Sequence, residues 1–304
     1  MARLFQIVVF LLLAGLCFDA AAATKKKSTT PKKTTTTRAK PAPEPAQPLF
    51  GPDGVPIVRA ASVLVLDAAT GATLYEKNAD QRRAPASTQK LLTALILAES
   101  GGLDRAVTAQ VEDTFAEPVK LNIQPGDTYR RIDLLEVLLV HSTNDVALCL
   151  ARDNAGSIEA FAEKMNRKAA ELGATNSHFV NPNGLPAPGQ FSTARDMSRI
   201  AFAAYRSRVI RSIVSMRELF FHYADGRVRK FDNTNKVLRS FALCNGMKTG
   251  YTEAAGHCLI SSASDGNREI ISVVLGDNQS VWRDSYALLV WGLNGGGNRL
   301  GTRE

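Results

Sequence analysis

Apolar positions along the chain change period twice. Ser62-Val63-Leu64-Val65-Leu66-Asp67 and Ala72-Thr73-Leu74-Tyr75-Glu76-Lys77 are short β-rich runs around Ala69-Thr70-Gly71, which predicts an opening hairpin. Helical spacing then takes over from Ser87 to Glu99 and stops at Gly101-Gly102. It resumes over Ile132 to His141, Asp145 to Arg152, Ile158 to Leu172 and Thr193 to Tyr205, the last with Ser192 or Thr193 as N-cap. Strand character returns at Leu219 to Tyr223 with Val228 to Phe231, then at Gly246 to Gly250, His257 to Ala263 and Glu269 to Leu275. An amphipathic helix over Ser280 to Leu293 closes the pattern. Two early strands, a block of helices and a late meander with turns as short as Asp265-Gly266 predict an α+β domain: an antiparallel sheet flanked by helices. There is no internal repeat, and no G-x-G-x-x-G, P-loop, HExxH or CxxC.

The ends of the chain follow different rules. Arg3 precedes an apolar run from Leu4 to Leu16 and a small-residue stretch at Ala21 to Ala23, which predicts a secretory signal over residues 1–23 and an exported protein, periplasmic or associated with the wall. The run is short for a membrane span, and the bulky Leu16 ahead of Cys17 argues against a lipoprotein signal. Residues 24–56 are rich in Lys, Thr and Pro and predict a disordered basic linker. Within residues 24–48, Lys25, Lys26, Lys27, Lys32, Lys33, Arg38 and Lys40 face one acid, Glu44, so this stretch holds most of the net charge of +8. Such a segment can touch anionic membrane or wall polymers or act as a plain spacer; nucleic acid is a poor partner for an exported chain. Residues 57–294 form the folded domain and 295–304 a short Gly-rich tail. Beyond the signal, Cys149, Cys244 and Cys258 are an odd number, so at least one thiol is free. Cys244 and Cys258 are expected to be unpaired structural thiols.

Chemistry enters with three short motifs in order: Ser87-Thr88-Gln89-Lys90, Ser142-Thr143-Asn144 and Lys248-Thr249-Gly250. Ser87 and Lys90 share one face of a helix start, within hydrogen-bonding reach, and Pro85-Ala86 sets the entry into that helix. For Lys90 to accept a proton it must be neutral, which burial or a second cation such as Lys248 favours. Taken alone, an N-cap serine and a solvated lysine are the plainer reading of the pair. Ser142 and Asn144 fall on a break between two helices and can turn into a cleft, and a carboxamide both donates to and accepts from a peptide; a helix junction capped by Asn144 or Asp145 is the plainer reading. On a strand, Lys248 and Gly250 point to one face and Thr249 to the other, and Gly250 leaves room for a substrate backbone. The four histidines (His141, His178, His222, His257) are scattered, and neither a metal site nor a cofactor is expected.

These motifs, with Phe179-Val180-Asn181-Pro182-Asn183-Gly184-Leu185, Phe191-Ser192-Thr193-Ala194-Arg195-Asp196-Met197, Gly246-Met247-Lys248-Thr249-Gly250-Tyr251-Thr252 and Val273-Val274-Leu275-Gly276, make the region from about Arg59 to Gly292 resemble the D-alanyl-D-alanine carboxypeptidases among the low-molecular-mass penicillin-binding proteins. The resemblance implies a DD-peptidase/β-lactamase-like fold and removal of the terminal D-alanine from peptidoglycan stem peptides. In that reading Ser87 is the acylated nucleophile and Lys90 its base. Ser142 and Lys248 relay a proton to the leaving amine, and Asn144 holds the substrate amide. Thr249 and Arg283 bind the terminal carboxylate, while the N–H groups of Ser87 and Tyr251 form the oxyanion hole beside Gly250. β-Lactams are then covalent inhibitors. Thr143 stands where the family commonly has glycine and is expected to crowd the cleft slightly. The chain stops at Glu304, so a second β domain and a C-terminal anchor are not expected. An endopeptidase cutting cross-links uses the same motifs. A β-lactamase is disfavoured, because no Glu-x-x-Leu-Asn lies between Ser142 and Lys248, and a non-catalytic wall-binding protein is disfavoured by the intact motif set.

Overall fold

A computed structural model describes residues 50–52 and 54–296. The expected signal segment, the linker up to residue 49 and the tail from residue 297 lie outside the described residues.

The centre is a five-stranded antiparallel sheet of β1 (Ser62–Asp67), β2 (Thr73–Lys77), β7 (Cys244–Thr252), β8 (Gly256–Ser264) and β9 (Glu269–Asp277) in the order β2-β1-β9-β8-β7. Its inner strands read as nearly continuous apolar runs because both faces are covered. Alternation divides each strand between two cores. Val63, Val65, Leu259 and Val274 join Leu288 and Leu289 of α8 (Val281–Leu293) on one side. Leu64, Leu66, Ile260, Ile271, Val273 and Leu275 face the other helices.

That second layer contains α1 (Lys90–Glu99), α2 (Arg131–His141), α3 (Asn144–Ala155), α4 (Ile158–Glu171), α5 (Ala194–Arg206) and α6 (Arg208–Val214). In α5 the buried Met197, Ile200, Ala201 and Ala204 recur at helical spacing, and the Thr193 hydroxyl accepts from the Asp196 N–H at 3.0 Å, so the expected cap is present. The small hairpins β3 (Ala106–Thr108) with β4 (Thr128–Arg130) and β5 (Glu218–His222) with β6 (Val228–Asp232), and the single turn α7 (Val237–Ser240), complete the domain.

Three details depart from the expected pattern. The helix expected from Ser87 begins as a 3-10 turn over Ala86–Gln89, and the regular helix starts at Lys90. Asn144 is the first residue of α3, so the break between helices holds only Ser142 and Thr143. The folded region also starts before Ile57: Phe50 bridges to Pro56, and Val55 is buried in the core under α8. Val55 and Val58 carry the apolar surface that draws this segment onto the domain.

Candidate active site

Ser87 is held in its 3-10 turn by tight packing from two sides. A Cβ on Gly250 of β7 would sit 2.9 Å from the Ser87 backbone nitrogen, and one on Gly184 would overlap the Ala86 carbonyl. Neither position has room for another residue. Ala86 itself adopts φ +48°, a left-handed conformation that costs a non-glycine residue about 1–2 kcal/mol.

Lys90, one turn on, is fully buried. Its Nζ lies 2.9 Å from Ser87 Oγ, 2.7 Å from Asn144 Oδ1 and 2.7 Å from the Asn183 carbonyl oxygen. Two of these partners can only accept, while the serine hydroxyl can also donate. Nζ donates to the serine oxygen, and the Ser87 hydroxyl in turn donates to the Asn183 carbonyl at 3.2 Å, so nucleophile and amine are joined by a direct hydrogen bond and share one acceptor. Burial, helped by the nearby Lys248 charge and opposed by Asp145, holds the Lys90 amine well below the usual lysine range. Lys248 is buried too, bonded through Nζ to the Thr249 carbonyl at 3.1 Å, and burial pushes it down to about 7.

Ser142 ends α2 in a left-handed conformation (φ +72°), its N–H donating to the Leu138 carbonyl at 3.1 Å, and so stands at the cleft wall with Ser87 and Asn144. The Asn144 carboxamide is engaged at both ends: Oδ1 accepts from Lys90, and Nδ2 donates to the Pro118 carbonyl. Its backbone N–H donates to the Val119 carbonyl at 2.8 Å. The neighbouring Asp145 fixes the same segment, accepting from the N–H groups of Leu121 (2.9 Å), Asn122 (2.7 Å) and Val146 (2.9 Å).

On β7, Lys248 and Gly250 pair with Ile260 and Cys258 of β8, on the side facing the helical layer, as alternation predicts. The Thr249 hydroxyl is 2.7 Å from that of Thr234, and both line the cleft. Tyr251 is 58% exposed at the rim. The cleft encloses about 530 Å³, with apolar walls from Val119, Leu185, Pro186 and Trp282.

The structure brings Ser87, Ser142, Asn144, Thr249, Gly250 and Tyr251 to the wall of one cleft, with Lys90 buried behind it against Ser87 and Asn144 and Lys248 buried in β7. Arg283 is placed elsewhere. Its guanidinium is turned to Ser280 Oγ (3.3 Å) and Asp284 Oδ1 (3.4 Å), and it does not line the cleft, although its neighbour Trp282 does. Thr143 is fully buried and also absent from the cleft wall, so its side chain does not narrow the opening. Cys149, Cys244 and Cys258 are buried free thiols, and Cys258 reaches the cleft from beneath Gly250. Among the described residues no three His, Cys, Asp or Glu side chains converge as metal ligands.

Sequence reasoning assigned no role to Asn183, Thr234 or His141, and to Asp145 only that of a helix cap. Asn183 acts through its carbonyl, which side-chain chemistry cannot flag; the Asn-Pro-Asn-Gly turn around it was the available signal. His141 lines the cleft and stacks on Phe231 at 4.5 Å, and burial lowers its imidazole below the ordinary histidine range.

Comparison with known proteins agrees with this geometry. A family profile described as D-alanyl-D-alanine carboxypeptidase matches residues 52–279. The D-alanyl-D-alanine carboxypeptidase DacC of Escherichia coli is 36% identical over 78% of this chain and 62% of its own length; DacF of Bacillus subtilis is 32% identical over 71% of this chain and 57% of its own. The chain thus spans about three fifths of these relatives. It covers more of DacB2 of Mycobacterium tuberculosis, 86% of that protein at 33% identity. Among solved structures, a D-alanyl-D-alanine carboxypeptidase from Mycobacterium tuberculosis superposes with a TM-score of 0.76 at 33% identity, over 82% of this chain and 96% of that one. A Streptomyces DD-transpeptidase does so with 0.74 at 28% identity, over 79% and 99%.

Proposed function

The chain belongs to the D-alanyl-D-alanine carboxypeptidase family, and from that premise we propose that it is an exported serine-type carboxypeptidase that removes the terminal D-alanine from peptidoglycan stem peptides. The observation that carries this reading is the Ser87–Lys90 pair: a hydroxyl 2.9 Å from an amine that is fully buried and whose proton affinity burial lowers. Lys90 takes the Ser87 proton as Oγ attacks the carbonyl carbon of the penultimate D-alanine. The oxyanion is received by the N–H groups of Ser87 and Tyr251, each donor being worth about a hundredfold or more in rate. Ser142 and Lys248 pass a proton to the departing D-alanine nitrogen, the C–N bond breaks, and water later hydrolyses the ester on Ser87. Asn144 holds both the base and the substrate amide.

Cleavage at a chain end needs a site for a free carboxylate. The Thr249 and Thr234 hydroxyls offer one in the cleft, joined by Arg283 only after it breaks its bonds to Ser280 and Asp284. β-Lactams carry a carboxylate and an acylating carbonyl in similar relation and are expected to acylate Ser87. Export rests on the sequence of residues 1–23; among the described residues no helix is long and apolar enough to cross a membrane.

The test is to incubate the protein with fluorescent penicillin, denature it, and measure retained label alongside D-alanine release from a stem pentapeptide. Wild type is expected to keep the label and release D-alanine, and Ser87→Ala to do neither. Unlabelled wild type removes the basis of the proposal, and rapid turnover of the drug reassigns the protein as a β-lactamase.

A further inference from the structure

At its outer end the cleft carries one feature that the reaction does not use. Of the residues lining it, Glu253 is the one carboxylate, and no lysine or arginine is among them. Glu253 is exposed, and its carboxylate makes no hydrogen bond or ion pair with any other described residue. Beside it in sequence, the Tyr251 ring is 58% exposed and stacked on His257, with centroids 4.6 Å apart. An unpaired carboxylate next to an open aromatic face suits an ammonium group, through charge and through the ring quadrupole.

The direction of β7 says which part of the substrate would meet it. Thr249 precedes Gly250, which abuts Ser87, and Glu253 opens the turn just after β7 ends at Thr252, two residues and about 7 Å of strand rise beyond Gly250. If the terminal carboxylate is held at the Thr249 end, the Glu253 end faces the acyl donor, upstream of the scissile bond. A lysine-length side chain on the residue before the acylated one spans the remaining gap.

We infer that Glu253, with the Tyr251 ring, forms a specificity subsite for acyl donors that carry a free side-chain ammonium on that residue. The inference rests on the carboxypeptidase reading of the same cleft and adds a preference to it. Glu253 acts on binding and takes no part in bond making.

The experiment compares two tripeptides, Nα-acetyl-L-Lys-D-Ala-D-Ala with its ε-amine free and the same peptide acetylated at Nε. D-Alanine release is followed for wild type, Glu253→Gln and Glu253→Lys. Wild type is expected to favour the free amine about fivefold in kcat/KM at low salt, the size of an exposed ion pair aided by an aromatic neighbour, and to lose that preference as salt rises. Glu253→Gln should bring the ratio near one and Glu253→Lys should reverse it, with the acetylated peptide turned over at the same rate throughout. Equal wild-type use of both peptides overturns the subsite and leaves the carboxypeptidase intact. Loss of turnover on both peptides in Glu253→Gln also overturns it, by moving Glu253 into the chemistry. No release from either peptide by wild type overturns the enzyme reading and this inference with it.

Discussion

The two faces of the central sheet share their strands and differ in what they do with backbone and charge. Under α8 the packing is regular: Val63, Val65, Leu259 and Val274 meet Leu288 and Leu289, and no non-glycine residue of β7, β8, β9 or α8 has a positive φ. At the helical face, by the free edge of β7, Ala86, Val119 and Ser142 all adopt left-handed φ, and two lysines are buried within electrostatic reach of each other. Each of these is unfavourable alone, by about 1–3 kcal/mol for the backbone outliers. The regular face supplies the stability that lets the other hold strained backbone and buried amines. Mutations on the two faces should therefore separate stability from chemistry.

The largest separation is expected from Lys90→Met. It should lower the rate of penicillin acylation about a thousandfold, the range for loss of a positioned base, while the melting temperature holds or rises because a buried amine becomes a thioether. Stopped-flow labelling and calorimetry on one sample check both halves. A large stability loss would mean that the base also props up the fold.

Leu288→Ala tests the opposite face. A fully buried leucine under the sheet should cost about 2–5 kcal/mol on truncation, read from urea unfolding, with acylation per folded molecule changed less than twofold. A tenfold rate loss would show that the faces are mechanically coupled.

Two glycines sharpen the contrast further. In Gly250→Ala the new methyl meets the Ser87 and Thr88 backbone nitrogens at 2.9 and 3.0 Å, and in Gly292→Ala it meets the Ile270 side chain at 2.9 Å. Both should lose about 1–3 kcal/mol. Only Gly250→Ala should also lose acylation, because the backbone it displaces belongs to the nucleophile.

Smaller effects follow from Lys248→Met. The folded-state pKa of Lys248 is lowered to about 7 from 10.5. Between those values the unfolded chain binds more protons, so this lysine disfavours folding increasingly as pH falls from 10.5 to 7, and by a constant amount below that. Its replacement should raise the melting temperature more at pH 6 than at pH 10, and a pH-independent gain would contradict the lowered value. The smallest effect belongs to Val119→Gly. Relief of φ +59° at a β-branched residue should offset most of the added chain entropy, leaving stability within about 1 kcal/mol of wild type.

The same contrast explains what was legible in the sequence. Elements around the regular face were read closely: β8, β9 and α8 lie within two residues of the predicted runs, because burial on both sides writes long apolar stretches. The segment between α1 and α2 was not read at all. Its strands are three residues long, and its course is set by the Asp145 carboxylate reaching back to the N–H groups of Leu121 and Asn122, a tertiary bond with no local pattern. The side chains that gather at the candidate site were legible through motif spacing and resemblance, whereas the Asn183 carbonyl and the Thr234 hydroxyl were not, since neither sits in a motif with side-chain chemistry. Arg283 shows the reverse failure: the resemblance put it at the substrate carboxylate, but its guanidinium is turned to Ser280 and Asp284.

The doubly tethered amide of Asn144 has one more consequence. The Pro118 carbonyl can satisfy only an NH2, which leaves the amide oxygen for the lysine amine, so polarity alone dictates which way the group is turned, with no need to see a hydrogen. Shape is therefore not enough at this position. Aspartate, its isostere, would face the Pro118 oxygen with another acceptor and draw a proton onto Lys90, turning a like-sized side chain into a poison for the base it touches.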